Sequence, residues 1–284
     1  MPSLKSLRKR IGTVRSTQQI TKAMKMVAAA RLRRAQEAAE HARPYAEKLS
    51  EMFTAVAAGV DPAAHPLLAR RDEHRIDVVV LTSDRGLCGG YNSNLLRFTE
   101  TFLREKSDRT AALATVGRKG LEHFRRRGVE IVVQKVGVLT TPPATMAAAV
   151  AEALTTRFVD GASDAVYLVY NRFRSAISQV PTVLPLLPVT PPANDAPPVE
   201  YIFEPGRPEL LGTLLPRYVG ALLAQALLES IASEHGARMT AMENATNNAT
   251  EMIAQLTLSM NRARQATITK ELMEIVSGAE ALKG

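Results

Sequence analysis

The stretch ATEMIAQLTLSMNRA, residues 249–263, places apolar side chains at Ala249, Ile253, Leu256, Met260 and Ala263. Their spacing alternates four and three, the seven-residue period of a left-handed supercoiled seam. No proline occurs from Arg217 to Gly284, and Pro208 sits where the first turn of a helix tolerates one. Leu211, Leu215, Tyr218 and Leu222 form a further stripe. The pattern predicts one helix over 208–284, roughly 110 Å long at about 1.5 Å per residue. Such a helix is too long for the core of one globular domain and is expected to project.

Residues 1–58 read the same way. Leu4, Leu7, Ile11 and Val14 follow a 3-4-3 spacing, that of a coiled-coil seam. Ile20, Met24 and Val27 are expected to keep one face apolar, and Ala28–Ala30 to allow close helix approach. Pro44 is expected to bend or interrupt this helix, with Gly59, Pro62 and Pro66 ending it. Its length is roughly 80 Å. Two long helices at opposite ends of a chain bury their stripes most simply against each other. The predicted fold class is α/β: a long antiparallel coiled coil of N- and C-terminal helices with a Rossmann-like α/β domain inserted between them.

That inserted domain is expected over 75–205. Strands are predicted at Ile76–Thr82, Ala111–Val116, Val129–Val133 and Ala165–Tyr170. Helices are predicted at Asn92–Lys106, Arg118–Arg127 and Pro143–Phe158. Alternation of this kind implies a parallel sheet covered on both faces. Prolines at 181, 185, 188, 191 and 192 make Ser178–Pro192 an edge strand and linker. Tyr201–Phe203 is a candidate for one last short strand.

Composition narrows the function classes. An apolar fraction of 46% supplies a genuine core, and aromatics at 5% with no tryptophan suit helix-rich packing. One cysteine, Cys88, leaves no internal disulfide and no cysteine-rich zinc site. No run approaches the roughly 20 consecutive apolar residues of a membrane span, so a soluble or membrane-peripheral chain is expected. The net charge is +8. Lys5, Arg8, Lys9, Arg10, Arg15, Lys22, Lys25, Arg31, Arg33 and Arg34 all precede the first acid, Glu37. Such a strip repels itself, so it is either a solvated helix face or meets an acidic protein surface, nucleic acid or anionic lipid. It also has the Arg-rich, acid-free look of a transit peptide. The helical pattern continues through Glu37, Glu40 and Glu47, however, so it reads as mature structure.

Asp84-Arg85-Gly86-Leu87-Cys88-Gly89-Gly90-Tyr91-Asn92 follows the first predicted strand and opens a helix. In a doubly wound fold that place can cradle phosphate. Its spacing matches neither G-x-G-x-x-G nor the Lys-containing P-loop, and a tight glycine-dependent turn is the favoured reading. Cys88 has no nearby histidine in sequence to activate it. The histidines at 41, 65, 74, 123 and 235 form no metal-ligand spacing. The polar run from Glu243 to Thr250 is odd in a long helix, because Asn and Thr are weak helix formers. Either a neighbouring surface passes close to it or it faces solvent. Arg264, Gln265, Thr267 and Thr269 form a hydrogen-bonding cluster suited to carboxylates or carbonyls of a partner.

Several stretches resemble the gamma subunit of the F-type ATP synthase. They are Ile11–Val14 with Ser16–Gln36, SDRGLCGGYN at 83–92, VYNRFRSAISQVP at 169–181, SEHGARMTAMENATNNA at 233–249 and NRARQATITKELMEIVSGAEAL at 261–282. They cover nearly the whole chain in family order. The resemblance implies a noncatalytic central rotor that transmits torque between the membrane ring and the catalytic subunits. The implied partners are the alpha, beta and epsilon subunits and the c-ring; no nucleic acid, cofactor or metal is expected. Met24, with Lys22 and Lys25, matches one contact with the catalytic subunits, and Arg264, Gln265 and Thr269 match the upper one. Tyr201 and Glu204 correspond to the foot on the membrane ring. Asn247 departs from the family, where Asp is frequent. The regulatory cysteine pair of chloroplast forms is missing, so thiol control is not expected. The reading without a transit peptide favours a bacterial source and the cytoplasmic face of its membrane. Two rivals remain: a basic coiled coil that binds nucleic acid, and a nucleotide-binding enzyme built on the middle domain.

Overall fold

In the computed structural model, residues 3–57, 61, 65–191 and 206–281 are described. Helix α1 spans Leu4–Ala57 and helix α5 spans Arg207–Ala281. Between them lie β1 (Arg75–Leu81), α2 (Tyr91–Glu105), β2 (Thr110–Val116), α3 (Arg118–Arg125), β3 (Ile131–Lys135), α4 (Pro143–Val159), β4 (Ala165–Phe173) and β5 (Gln179–Leu187). The chain divides into two compact units. One is Ala28–Arg238, and the other combines Met1–Val27 with Met239–Gly284.

In the first unit the strand order is β3-β2-β1-β4-β5. The first four strands run parallel, and β5 joins the edge antiparallel to β4. Pro181 and Pro185 sit on that edge strand, where a missing N–H need not break an inner ladder. Alternate residues of the sheet feed two cores, as a period of two requires. Ile76, Val78 and Val80 pack with Leu95, Leu96 and Phe124 of α2 and α3. Val79, Leu81, Val116 and Leu168 pack with Leu154 and Phe158 of α4, Leu49 and Phe53 of α1, and Leu211, Leu215 and Val219 of α5. The Phe53 and Tyr218 rings lie 4.8 Å apart.

Asp77 points into the second of these cores, where an unpaired carboxylate would be costly. Arg157 of α4 meets it with two bonds, Nε to Oδ2 at 2.9 Å and Nη2 to Oδ1 at 3.1 Å. The hydrogen bond to Asp77 raises the Arg157 pKa against the opposing effect of burial.

Several sequence expectations shift. Pro44 does not interrupt α1, which runs unbroken across it. Its lost backbone bond, worth about 3 kcal/mol in a helix interior, is outweighed by the packing of Leu49, Phe53 and Val56 beyond it. The third strand starts at Ile131 rather than Val129. Gly128, at φ 68°, ends α3, with Gly128 N–H donating to the Arg125 carbonyl and Val129 N–H to the Phe124 carbonyl. This helix-ending turn consumes the residues before the strand. Gly59, Pro62 and the candidate strand Tyr201–Phe203 lie outside the described residues.

Helix α5 is, by length and composition, apolar enough to cross a membrane, with mean hydropathy 1.3 over its most apolar window. The run-length reading missed this because isolated Thr, Gly and Gln residues break up the run. Leu211, Leu214, Leu215, Val219, Leu223 and Leu227 spend that surface in the core against the sheet.

In the second unit the two chain ends pair antiparallel. Leu7 and Thr21 of α1 and Met242 and Ala249 of α5 are buried there. The heptad phase set by Leu4, Leu7, Ile11 and Val14 runs on through Gln18, Thr21 and Lys25. Ile20 and Val27, expected in the seam, are instead 60% and 52% exposed. Met24 lies at the seam's flank, half-buried.

Candidate subunit-contact surface and the closed crevice of the sheet

The interior of the paired ends carries polar rungs over about two turns. Gln18 Nε2 donates to Thr250 Oγ1 at 2.7 Å. The Thr21 and Thr246 hydroxyls are 2.8 Å apart, and Lys25 Nζ donates to Glu243 Oε1 at 2.6 Å. As the α1 number rises the α5 number falls, so these three rungs define the antiparallel register. Beside them opens a groove of about 410 Å3, lined also by Gln19, Lys22 and Asn247. The polar run of α5 thus divides between the two sequence alternatives, one side meeting α1 closely and the other facing solvent. Glu243, Thr246 and Thr250 face α1, while Asn244, Asn247 and Asn248 are exposed. The signal was present in Gln18, Thr21 and Lys25, which occupy core heptad positions.

The structure brings Lys22 and Lys25 to one groove but leaves Arg264, Gln265 and Thr269 elsewhere on α5. From residue 264 to 279 every residue is exposed. Helix α1 starts at Leu4, and the register of the rungs puts Leu4 level with that boundary. Beyond it α5 has no helix to pair with among the described residues. Ile268, Leu272, Met273, Ile275 and Val276 are all more than half exposed, Ile275 at 72%. Thr267 and Thr269 hydroxyls donate to the Ala263 and Gln265 carbonyls, so the expected cluster is a set of helix-surface groups rather than an internal network. Lys5, Arg8, Lys9, Arg10, Arg15 and Lys22 are also exposed. An apolar helix end beside a strip of free cations has the chemistry of an unfilled protein interface. Tyr201 and Glu204 lie outside the described residues.

The Ser83–Asn92 turn belongs to the other unit, and its geometry closes the phosphate reading. In doubly wound sheets ligands enter where neighbouring strands leave in opposite directions; here that is the end of β1 and β4. Helix α5 occupies it. Ser230 Oγ approaches the Leu81 carbonyl at 3.4 Å, and Ser233 Oγ donates to the Asn171 carbonyl at 3.0 Å. The Tyr91 and Ser230 hydroxyls are 2.6 Å apart. The turn spends its polar groups on itself and its neighbours. Ser83 N–H donates to Asn92 Oδ1. Asp84 accepts from the N–H groups of Arg118 and Val138. Gly117, at φ 101°, lies so close to the Thr82 carbonyl that a Cβ would sit 2.1 Å from its oxygen. Burial pushes the Cys88 thiol up, against the Arg238 charge that lowers it; the protonated form is not a nucleophile. Among the described residues no three potential metal ligands converge.

A family model described as ATP synthase matches residues 3–282. The ATP synthase gamma chain of Anaeromyxobacter sp. strain Fw109-5 is 56% identical over 290 residues, covering 100% of each chain. The chain belongs to the ATP synthase gamma-chain family. The gamma chain of Moorella thermoacetica is 53% identical, again over the full length of both. Among solved structures, a chain of the Tetrahymena thermophila mitochondrial ATP synthase central stalk and c-ring aligns with a TM-score of 0.61 at 29% identity. That alignment covers 80% of this chain and 99% of the other. A chain of the Euglena gracilis mitochondrial ATP synthase, 22% identical with a TM-score of 0.70 over 98% of this chain and 94% of its own, shares the fold. Gamma-chain membership and the closed crevice agree: this chain is a noncatalytic subunit.

Proposed function

We propose that this chain is the central rotor of an F-type ATP synthase, turning with the membrane ring and driving the catalytic subunits through their conformations. Its partners are the alpha and beta subunits, the epsilon subunit and the c-ring. The observation that carries this reading is the solvent-facing apolar end of α5, residues 264–279, in a chain of the gamma family. A rotor acts only if each of its orientations contacts the surrounding subunits differently, because only differential interaction shifts a conformational equilibrium. The paired ends meet that requirement by composition. Cations crowd α1, while apolar groups and Thr and Gln share the last turns of α5.

On this reading the chain has three functional parts: the N-terminal helix over 1–58, the α/β domain over 75–205 and the C-terminal helix over 208–284. Lys22, Met24 and Lys25 meet one set of acidic loops on the catalytic subunits. Arg264, Gln265 and Thr269 meet another, higher set, with the guanidinium of Arg264 suited to a carboxylate. Tyr201 and Glu204 rest on the membrane ring. Full-length bacterial relatives support a place on the cytoplasmic face of a bacterial plasma membrane, peripheral to it.

Purification from detergent-solubilised membranes tests the reading. The chain is expected with threefold catalytic subunits, in a complex whose ATP hydrolysis rotates a probe fixed to this chain. Recovery as a free monomer, or hydrolysis without rotation, overturns it.

A further inference from the structure

Torque passing between the α/β body and α5 requires a joint that resists twisting about the helix axis. Apolar packing is non-directional, and α5 from Leu211 to Leu227 meets the body through leucine, valine, alanine and Tyr218 contacts. Over the next two to three turns the contacts change character. Tyr91 Oη donates to the Ser230 carbonyl at 3.1 Å and lies 2.6 Å from Ser230 Oγ. Ser233 Oγ donates to the Asn171 carbonyl, and Asn171 Nδ2 in turn donates to the Tyr91 carbonyl at 3.3 Å. Arg238 Nη2 donates to the Gly86 carbonyl at 3.2 Å and to Glu234 Oε1 at 2.7 Å. Ser230, Ser233 and Arg238 are buried and share one face of the helix. The bonds that cross from α5 reach two parts of the body, the Ser83–Asn92 turn at Gly86 and Tyr91 and the end of β4 at Asn171, while the Arg238–Glu234 bond stays within the helix. Gly236 adds a close approach, because a Cβ there would stand 3.1 Å from Ala176 Cα.

We infer that Ser230, Ser233 and Arg238, held by Tyr91, Asn171 and the Gly86 carbonyl, form the torsional joint through which the α/β body and α5 exchange torque. These are positioning residues, and the inference rests on the rotor reading. Directional hydrogen bonds to two separate segments fix the helix's rotation as well as its depth. Their burial keeps water from offering replacement partners, so each lost bond leaves an unsatisfied group.

The test uses the whole complex, anchored by its catalytic subunits, with a bead on Arg126→Cys, the exposed residue just after α3, and other reactive cysteines replaced. Angular variance of the bead without nucleotide reports torsional compliance. Tyr91→Phe with Ser233→Ala is expected to raise that variance at least about twofold, since most of the directional bonds between α5 and the body are lost, while hydrolysis persists. Ser233→Thr, which keeps the hydroxyl, is expected to match the wild type. If the double variant does not assemble, Tyr91→Phe alone carries the test with a smaller rise. Unchanged variance in the double variant, or in Tyr91→Phe where that variant carries the test, or a rise in Ser233→Thr equal to that in Ser233→Ala, overturns the joint. Failure of the wild-type bead to rotate with ATP instead defeats the rotor reading, which keeps the two outcomes separate.

Discussion

Lys25 and Glu243 close the polar section of the seam, with Nζ and Oε1 2.6 Å apart and both side chains more than a third exposed, at 39% and 46%. Water therefore competes for both charges. A double-mutant cycle with Lys25→Met and Glu243→Gln is expected to give a coupling of about 0.5 kcal/mol, shrinking further in high salt. Chemical denaturation of the full chain at two salt concentrations measures it. A coupling of several kcal/mol would mean that the pair is far better shielded than its exposure indicates.

The Asp77–Arg157 pair behaves oppositely because the carboxylate is 2% exposed. Arg157→Met strands that charge in the core and is expected to cost about 3–5 kcal/mol. Asp77→Leu combined with Arg157→Met recovers most of the loss, since no unpaired charge remains. Urea unfolding midpoints of the single and double variants decide the matter.

His235 gives the α/β unit a pH dependence. Burial, with the Arg238 and Arg31 charges beside it, lowers its pKa from 6.5 to about 4. Between those values the unfolded chain binds a proton that the folded chain refuses. Stability from this group is thus complete above about pH 6.5, declines as pH falls and levels off below about 4. The total is about 3 kcal/mol. His235→Gln is expected to flatten that slope in denaturation measured across the window. An unchanged slope would assign the dependence to other groups.

Asp164 acts at lower pH. Burial pushes its carboxyl up, but bonds from the Arg75 side chain and backbone outweigh this and hold it below the usual value of 3.8. The stability it adds is present above that value and disappears as acid protonates the folded form. Asp164→Asn is expected to weaken the fold at neutral pH and to reduce the loss on acidification, as thermal melts at pH 7 and pH 3 would register.

Met24→Lys adds a cation next to the Lys25–Glu243 rung and opposite the proposed acidic loops. ATP hydrolysis by the assembled complex is expected to continue while proton pumping per ATP falls. Vesicle acidification against hydrolysis rate measures this, and an unchanged ratio removes Met24 from the contact. Alanine at Arg264 or Gln265 is expected to lower turnover or assembly, by roughly tenfold for a lost charge-assisted bond. Wild-type behaviour of both variants would dismiss the upper contact.

Much of the architecture was legible because it depends on periods. The four-three alternation at Ala249–Ala263 and the strand-helix alternation after Arg75 repeat over many residues, so single exceptions do not hide them. Element ends were less legible where one turn decided them. Gly128 delays the third strand by two residues, and Pro44 leaves α1 intact because the packing beyond it outweighs one lost bond. The seam was misread at Ile20 and Val27 by following hydrophobicity instead of phase. The heptad set by Leu4 and Leu7 assigns those positions to the outside and puts Gln18, Thr21 and Lys25 within.

By itself, then, the sequence determined two long helices, an alternating α/β middle and kinship with gamma chains, since each is written in local spacing or in ordered motifs. Tertiary structure alone decided which polar groups meet. Gln18 and Thr250, Tyr91 and Ser230, and Asp77 and Arg157 are separated by 80 to 232 positions. No local pattern links residues so far apart. Hydrogen bonds act over about 3 Å, and only folding brings these partners within that reach.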